Sequence, residues 1–297
     1  MPSYLGYADD LVIWAFSASE LQKKLELLWE VFTEFGLYMN LDKTETLIYN
    51  WRLGKQPKGI PYAPYPESIV KIKNHKLKNV ETFKYLGSYS QIDDSSIGNA
   101  ELENRITSAT CKFFELKHFF KNRKINLKTR LKFLQSLVRS RLTYLCGSWT
   151  ITKSQTQRLQ STYIKFLRHM IKGGQQRTPP ITYTRKNGTE GEYSKPIITN
   201  AEIFKTSKVE SICSFIEKQQ ENWIGHIIRS EDDSYIKRLT FADYPKNEPK
   251  KRGILSTTYG QVLKRYKENN LTENDMITGL KCRKSRDVTA LEHNSNG

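Results

Sequence analysis

The chain has 297 residues, room for one large domain or a few small ones, and its 37% hydrophobic and 11% aromatic content is that of a folded protein. No apolar run of about 18 residues could span a membrane, and no basic segment followed by an apolar core marks secretion. The net charge of +17 is concentrated, because residues 1–110 carry 12 Lys/Arg against 14 Asp/Glu (−2), residues 111–172 carry 15 against 1 (+14), and residues 173–297 carry 21 against 16 (+5). A solubility surface mixes both signs, so such a block points to a polyanion, most simply nucleic acid, with anionic lipid as the alternative. Cys111, Cys146, Cys213 and Cys282 lie far apart without a CxxC pair. They argue against a zinc ribbon or disulfide framework and for a reducing, intracellular compartment, nucleus or cytoplasm.

The first element is "SYLGYADDLVIWA", in which Tyr4, Leu5 and Tyr7 lead in and Leu11, Val12, Ile13 and Trp14 lead out. These strand-forming residues predict a tight hairpin with Asp9 and Asp10 at its tip. Asp is an ordinary turn residue. Two adjacent carboxylates nonetheless raise each other's cost of ionisation unless a cation neutralises both, and magnesium, a hard ion held by one or two carboxylates plus phosphates, fits. Next, Leu21, Leu25, Leu28, Phe32 and Phe35 make the stripe of an amphipathic helix, with Ser17 and Glu20 as a capping box and Gly36 at its close. A loop carrying Asn40, Asp42 and Lys43 feeds a strand over Thr44–Tyr49. After a Pro- and Gly-containing connector come short strands near Val70–Ile72 and Val80–Leu86, the latter punctuated by a turn at Gly87.

From Asp94 the pattern is helical. A first helix buries Ile106, Phe113, Leu116 and Phe120; Asn126 caps a second, whose Leu127, Leu131, Leu134, Val138 and Leu142 form one face while Lys128, Arg130, Lys132, Arg139 and Arg141 point elsewhere. A third, Ser154 to Lys172, carries Leu159, Ile164, Leu167 and Ile171, completing a small bundle with a basic solvent face. Residues 173–200 read as a flexible linker. One helix is expected from Ala201 to about Arg229, with Trp223, Ile224, Ile227 and Ile228 as packing residues and His226 structural. The polar, basic tail after Pro245 holds one helix near Thr258–Glu268.

In this order the pieces resemble the reverse transcriptase of non-LTR (LINE-like) retrotransposons. Tyr7-Ala8-Asp9-Asp10 is similar to that family's catalytic YADD box, "GLYMNLDKTE" (36–45) to the following motif with its Asn and Lys, and "FKYLGSYSQ" (83–91) to the primer-grip hairpin. Glu101, Arg105 and Ile106 follow where the thumb begins, and "NWIGHIIR" (222–229) resembles a Trp-x-Gly-His segment near the C-terminus of such elements. YADD also occurs in group II intron maturases; the ordered set over residues 4 to about 229 is what carries the likeness. It implies an α+β fold: a partial antiparallel palm sheet with a packed helix in residues 1–93, a basic thumb-like bundle in 94–172, the 173–200 linker, and a helical, partly disordered region in 201–297.

The resemblance implies two-metal nucleotidyl transfer by an RNA-directed DNA polymerase, with Mg2+ as cofactor and RNA template, DNA primer or their hybrid as partners; no membrane and no specific protein partner are inferred. Asp9 would be the main metal ligand and Asp10 a weaker one, Lys43 would face the departing phosphate, and Tyr7, Tyr85, Leu86 and Gly87 would position the primer. Lys112, Lys117, Lys128, Arg130, Lys132, Arg139, Arg141, Lys165 and Arg168 would track the nucleic-acid backbone. The family's further palm aspartate and its fingers lie upstream of YADD. The sequence is therefore expected to be a truncated piece of a longer polymerase, inactive by itself. The alternative expectation is a non-catalytic nucleic-acid-binding module built on the basic helices.

Overall fold

In a computed structural model of the chain, the described residues are 4–48, 70–91, 99–184, 190–241 and 258–280. They fall into two compact units, Met1–Glu101 and Leu102–Gly297. The division thus comes within a helix, a few residues beyond the expected boundary at 93; Asp94 itself lies outside the described residues.

In the first unit β1 (Tyr4–Tyr7) pairs antiparallel with β2 (Asp10–Ile13), and α1 (Ala18–Glu34) follows. The remaining strands are β3 (Glu45–Thr46), β4 (Lys71–Ile72), β5 (His75–Lys76), β6 (Lys78–Asn79), β7 (Thr82–Tyr85) and β8 (Ser88–Gln91). β4 with β5 and β7 with β8 are antiparallel, and β3 with β6 is parallel. Among the described residues these ladders are separate two-stranded pairs. The strand expected over Thr44–Tyr49 is shortened to Glu45–Thr46, and Tyr49 lies outside the described residues.

α1 starts where Ser17 Oγ accepts the Glu20 N–H at 3.1 Å. The Glu20 carboxylate reaches back to the Phe16 N–H at 2.9 Å, one residue short of the Ser17 amide that a capping box would use. Gly36, at φ +69°, closes the helix end. The core of this unit is small: Leu25, Val70, Ile72 and Leu77 are buried, with Ile13, Leu21, Trp29, Met39 and Leu41 packed against them. Phe35, expected on the apolar stripe, is exposed.

The second unit begins within α2 (Asn99–Glu115) and continues through α3 (Lys117–Lys121) and α4 (Leu127–Phe133), a π-helical segment Leu134–Arg139 and α5 (Ser140–Leu142). Asn126 caps α4 through the Lys128 N–H at 2.8 Å, as its sequence predicts. The wide π turn keeps Leu134, Val138 and Leu142 all fully buried along one line. A 3₁₀ turn at Cys146–Ser148 leads to α6 (Lys153–Met170), which opens on a complete capping box between Thr152 and Gln155. Phe113 stacks on Phe120 at 5.0 Å and on Phe166 at 4.6 Å, joining α2, α3 and α6.

The segment expected to be a flexible linker is built. It holds an antiparallel hairpin of β9 (Ile181–Thr184) and β10 (Glu190–Tyr193), rooted by the Thr178 N–H donating to Lys195 O at 2.8 Å and the Ile197 N–H to Gln176 O at 3.0 Å. The single helix expected over 201–229 is two, α7 (Asn200–Ser207) and α8 (Ile212–Arg229), because Lys208 turns left-handed at φ +51° and Ser211 caps a new start. α9 (Tyr235–Phe241) and α10 (Thr258–Glu268) follow, and residues 273–280 are also helical. Ile224, Ile227 and Ile228 pack with Val262, Met276 and Leu280, so the isoleucines of "NWIGHIIR" are core residues. Among the described residues no helix is long and apolar enough to cross a membrane.

Candidate carboxylate hairpin and nucleic-acid interface

The β1–β2 register sets Tyr7 opposite Asp10, leaving a two-residue turn of Ala8 and Asp9. Ala8 takes φ +53°, the sign that a tight turn between right-twisted strands requires and that a Cβ disfavours. Asp9 therefore stands at the tip and Asp10 opens β2, and both are exposed. Among the described residues no set of three or more His, Cys, Asp or Glu side chains could hold a metal ion. Two adjacent carboxylates suit magnesium as a partial shell, the remainder coming from water and phosphate oxygens.

Ile13 at the end of β2 and Met39 and Leu41 of the next loop pack on the same small core. The backbone thus joins the carboxylate hairpin to the loop bearing Lys43. There Asn40 folds the chain: its side-chain oxygen accepts the Lys43 N–H at 3.2 Å and its main-chain oxygen the Thr44 hydroxyl at 2.8 Å. The Lys43 side chain is left exposed. The following β3 pairs with β6, and the Val80 N–H donates to Thr46 O at 2.8 Å, leading into the β7–β8 hairpin. With Tyr85 opposite Ser88, its turn is Leu86-Gly87, at φ +47° and +79°. Both positive angles are what a type I′ turn needs, and leucine is a poor residue for it. The hairpin is held from outside by Glu101, a buried carboxylate that accepts the Tyr89 N–H at 2.8 Å.

The nine basic residues singled out from sequence divide by environment. Arg130 is only 3% exposed; its Nε donates to Ile125 O at 3.1 Å and its Nη1 to Phe120 O at 2.7 Å and Met170 O at 3.1 Å. Burial, with Arg123 nearby, pushes its pKa down. It is a structural residue, and the expectation that it tracks phosphates is corrected. Arg168 is similarly engaged, donating to Gly174 O, Ile198 O and Asn200 Oδ1 at 3.0, 2.8 and 2.7 Å, which clamps the base of the β9–β10 arm to α6. Arg139 lies 4.1 Å over the Phe215 ring. The spacing that places Arg130 four residues before Leu134 and Arg168 four after Ile164, on buried stripes, is a signal that their charge outweighs in sequence. Lys112 pairs with Glu115 at 2.7 Å and Lys117 lies 5.4 Å over Phe114.

Lys128, Lys132, Arg141 and Lys165 are exposed, together with Lys121, Lys124 and Lys172. Residues 116–189 contain no Asp or Glu at all. Along α6 the solvent side carries Ser154, Arg158, Ser161, Thr162 and Lys165, which line a shallow depression facing Ile106 of α2. Arg158 is paired with the Glu103 carboxylate of α2, so Lys165 and the hydroxyls are the groups left to meet phosphate oxygens. At the α6 end His169 keeps a buried Nδ1 without a hydrogen-bond partner among the described residues, and its pKa is held down by burial and by Lys121 and Lys117.

Over 236 residues the chain is 26% identical to a transposon-derived protein of Caenorhabditis elegans, an alignment covering 80% of this chain and 75% of that protein. No family profile matches the chain. No solved structure matches it.

Proposed function

We propose that the chain is the palm-to-thumb segment of a non-LTR retrotransposon reverse transcriptase. The observation that carries this reading is the ordered junction, in one small unit, of the Asp9-Asp10 hairpin, the Lys43 loop and the Leu86-Gly87 hairpin, followed in sequence by helices that carry no Asp or Glu over residues 116–189. Similarity to a transposon-derived protein supports the same origin. In this reading Asp9 and Asp10 contribute ligands for Mg2+. Bound there, the ion would supply a lowered pKa at the primer 3′-hydroxyl and charge stabilisation of the leaving pyrophosphate. Lys43 offers a cation to the departing phosphate, and the Leu86-Gly87 turn supports the primer end. Lys128, Lys132, Arg141 and Lys165 hold the hybrid backbone without reading sequence.

A second reading, a non-catalytic binding module, is favoured by the independence of the basic helices from the carboxylate hairpin: their core is formed by Phe113, Phe120 and Phe166. Photocrosslinking separates the two. A thio-substituted nucleotide at the primer 3′ end of an RNA–DNA hybrid is expected to label peptides containing residues 4–14 or 82–91. Labelling confined to residues 99–172 would leave only the binding module.

A further inference from the structure

We propose that the β9–β10 arm is a stacking platform for unpaired nucleotides, a second contact that rests on the nucleic-acid reading above but uses different residues and a different force. In the arm's register Tyr183 faces Gly191 and Tyr193 faces Ile181, so both tyrosines and the isoleucine share one face of the ladder. Thr182, Thr184, Glu190 and Glu192 occupy the other. The two sides are thus chemically segregated, with the acids turned away from the aromatic side.

Tyr183 and Tyr193 remain 44% and 43% exposed although each has a cross-strand neighbour. Their rings meet edge to face, centroids 5.6 Å apart at 73°, so at most one face of one ring is covered by the other. Covering Gly191 would account for one tyrosine; it does not account for the second, nor for the cation beside it. Lys195 Nζ lies over the Tyr193 ring, 5.6 Å from its centre, capping one of its faces with a cation. Arg177, exposed, is fixed at the root of the arm by donating from Nε to Ser194 Oγ at 2.9 Å. Flat π surfaces flanked by cations are what single-stranded nucleic acid uses, since only an unpaired base offers its face to a side chain. The charge complements a polyanion, because the arm follows directly on the acid-free basic block. The platform is also held in place: the Arg168 clamp fixes its base to α6, and a Cβ at Gly174 would come within 2.5 Å of Arg168 O, so the chain passes too closely for any other residue.

The test compares the affinity of the full chain for a blunt RNA–DNA hybrid with that for the same hybrid carrying a single-stranded RNA extension. The extension is expected to tighten binding by about fivefold or more. Tyr183→Ile with Tyr193→Ile, which keeps strand-forming apolar side chains but removes the π faces, should abolish that gain and leave blunt-hybrid affinity unchanged. Tyr183→Trp with Tyr193→Trp should restore it. No gain for the unmodified chain, or a gain that survives the isoleucine variant, overturns the platform. Tyrosine-dependent binding of single strands with no binding of blunt hybrid supports the platform while overturning the hybrid-holding role of the helices.

Discussion

The Arg130 guanidinium donates to the main-chain oxygen of Met170 at 3.1 Å, tying the first turns of α4 to the last turn of α6. The same side chain satisfies Phe120 O and Ile125 O, so one cation joins carbonyls of α3, the α3–α4 connection and α6. Arg130→Met is expected to lower stability by about 2 to 3 kcal/mol, since charged donors are removed and carbonyls are left buried. Urea unfolding measures this. Hybrid affinity of the folded variant should change by less than about twofold, because each 1.4 kcal/mol would have meant tenfold.

The exposed cations should behave in the opposite way. Replacing Lys128, Lys132, Arg141 and Lys165 with Gln should leave the unfolding midpoint unchanged but flatten the dependence of log affinity on log salt by roughly 0.9 for each phosphate no longer neutralised. A slope that stays the same would remove these side chains from the interface.

Tyr163 is fully buried and, among the described residues, its hydroxyl has no hydrogen-bond partner. Burial raises its pKa to about 12, so the group stays protonated throughout the neutral range. Tyr163→Phe deletes an unsatisfied polar atom at nearly constant volume and should stabilise the second unit by up to about 1 kcal/mol. Thermal unfolding reads the change, and a loss of stability would mean the hydroxyl is bonded in solution.

Leu86 sits at φ +47°. Leu86→Asn is expected to stabilise the first unit by about 1 kcal/mol and Gly87→Ala to weaken it by about as much, both measured by hydrogen exchange of the hairpin amides. A stabilised Leu86→Asn chain with weakened hybrid binding would assign the strained leucine to the primer contact.

His169 supplies a pH dependence. Its folded pKa lies below the usual value of about 6.5, so the unfolded chain binds more protons between the two values. The stability this group contributes is full above about 6.5 and is lost as pH falls toward the folded pKa. The His169→Gln chain should lack that acid-side decline in a pH series of unfolding curves.

Local features were legible where they depend on near neighbours. The Ser17 and Asn126 boundaries, the two hairpin tips and the isoleucines of α8 follow from caps, turns and periodicity. The roles of Arg130 and Arg168 were not, because charge suggests solvent whereas their partners are main-chain oxygens distant in sequence. The arm was hidden for a related reason: Gly, Pro and Asn around it signal loop, and only pairing across Thr178 and Lys195 makes it a ladder. The break at Lys208 required a left-handed lysine that propensity does not favour.

The most direct measurement places iron where magnesium would act. With Fe2+ in place of Mg2+, and with hydrogen peroxide as oxidant and ascorbate to return Fe3+ to Fe2+, hydroxyl radicals formed at a bound ion cut the nearest nucleic-acid backbone. An RNA–DNA hybrid on the full chain should be cleaved only near the primer 3′ end, and Asp9→Asn with Asp10→Asn should abolish the cut without weakening hybrid binding. Cleavage that is absent, scattered along the hybrid, or unchanged in the asparagine variant would contradict the assignment of this hairpin as a polymerase metal site.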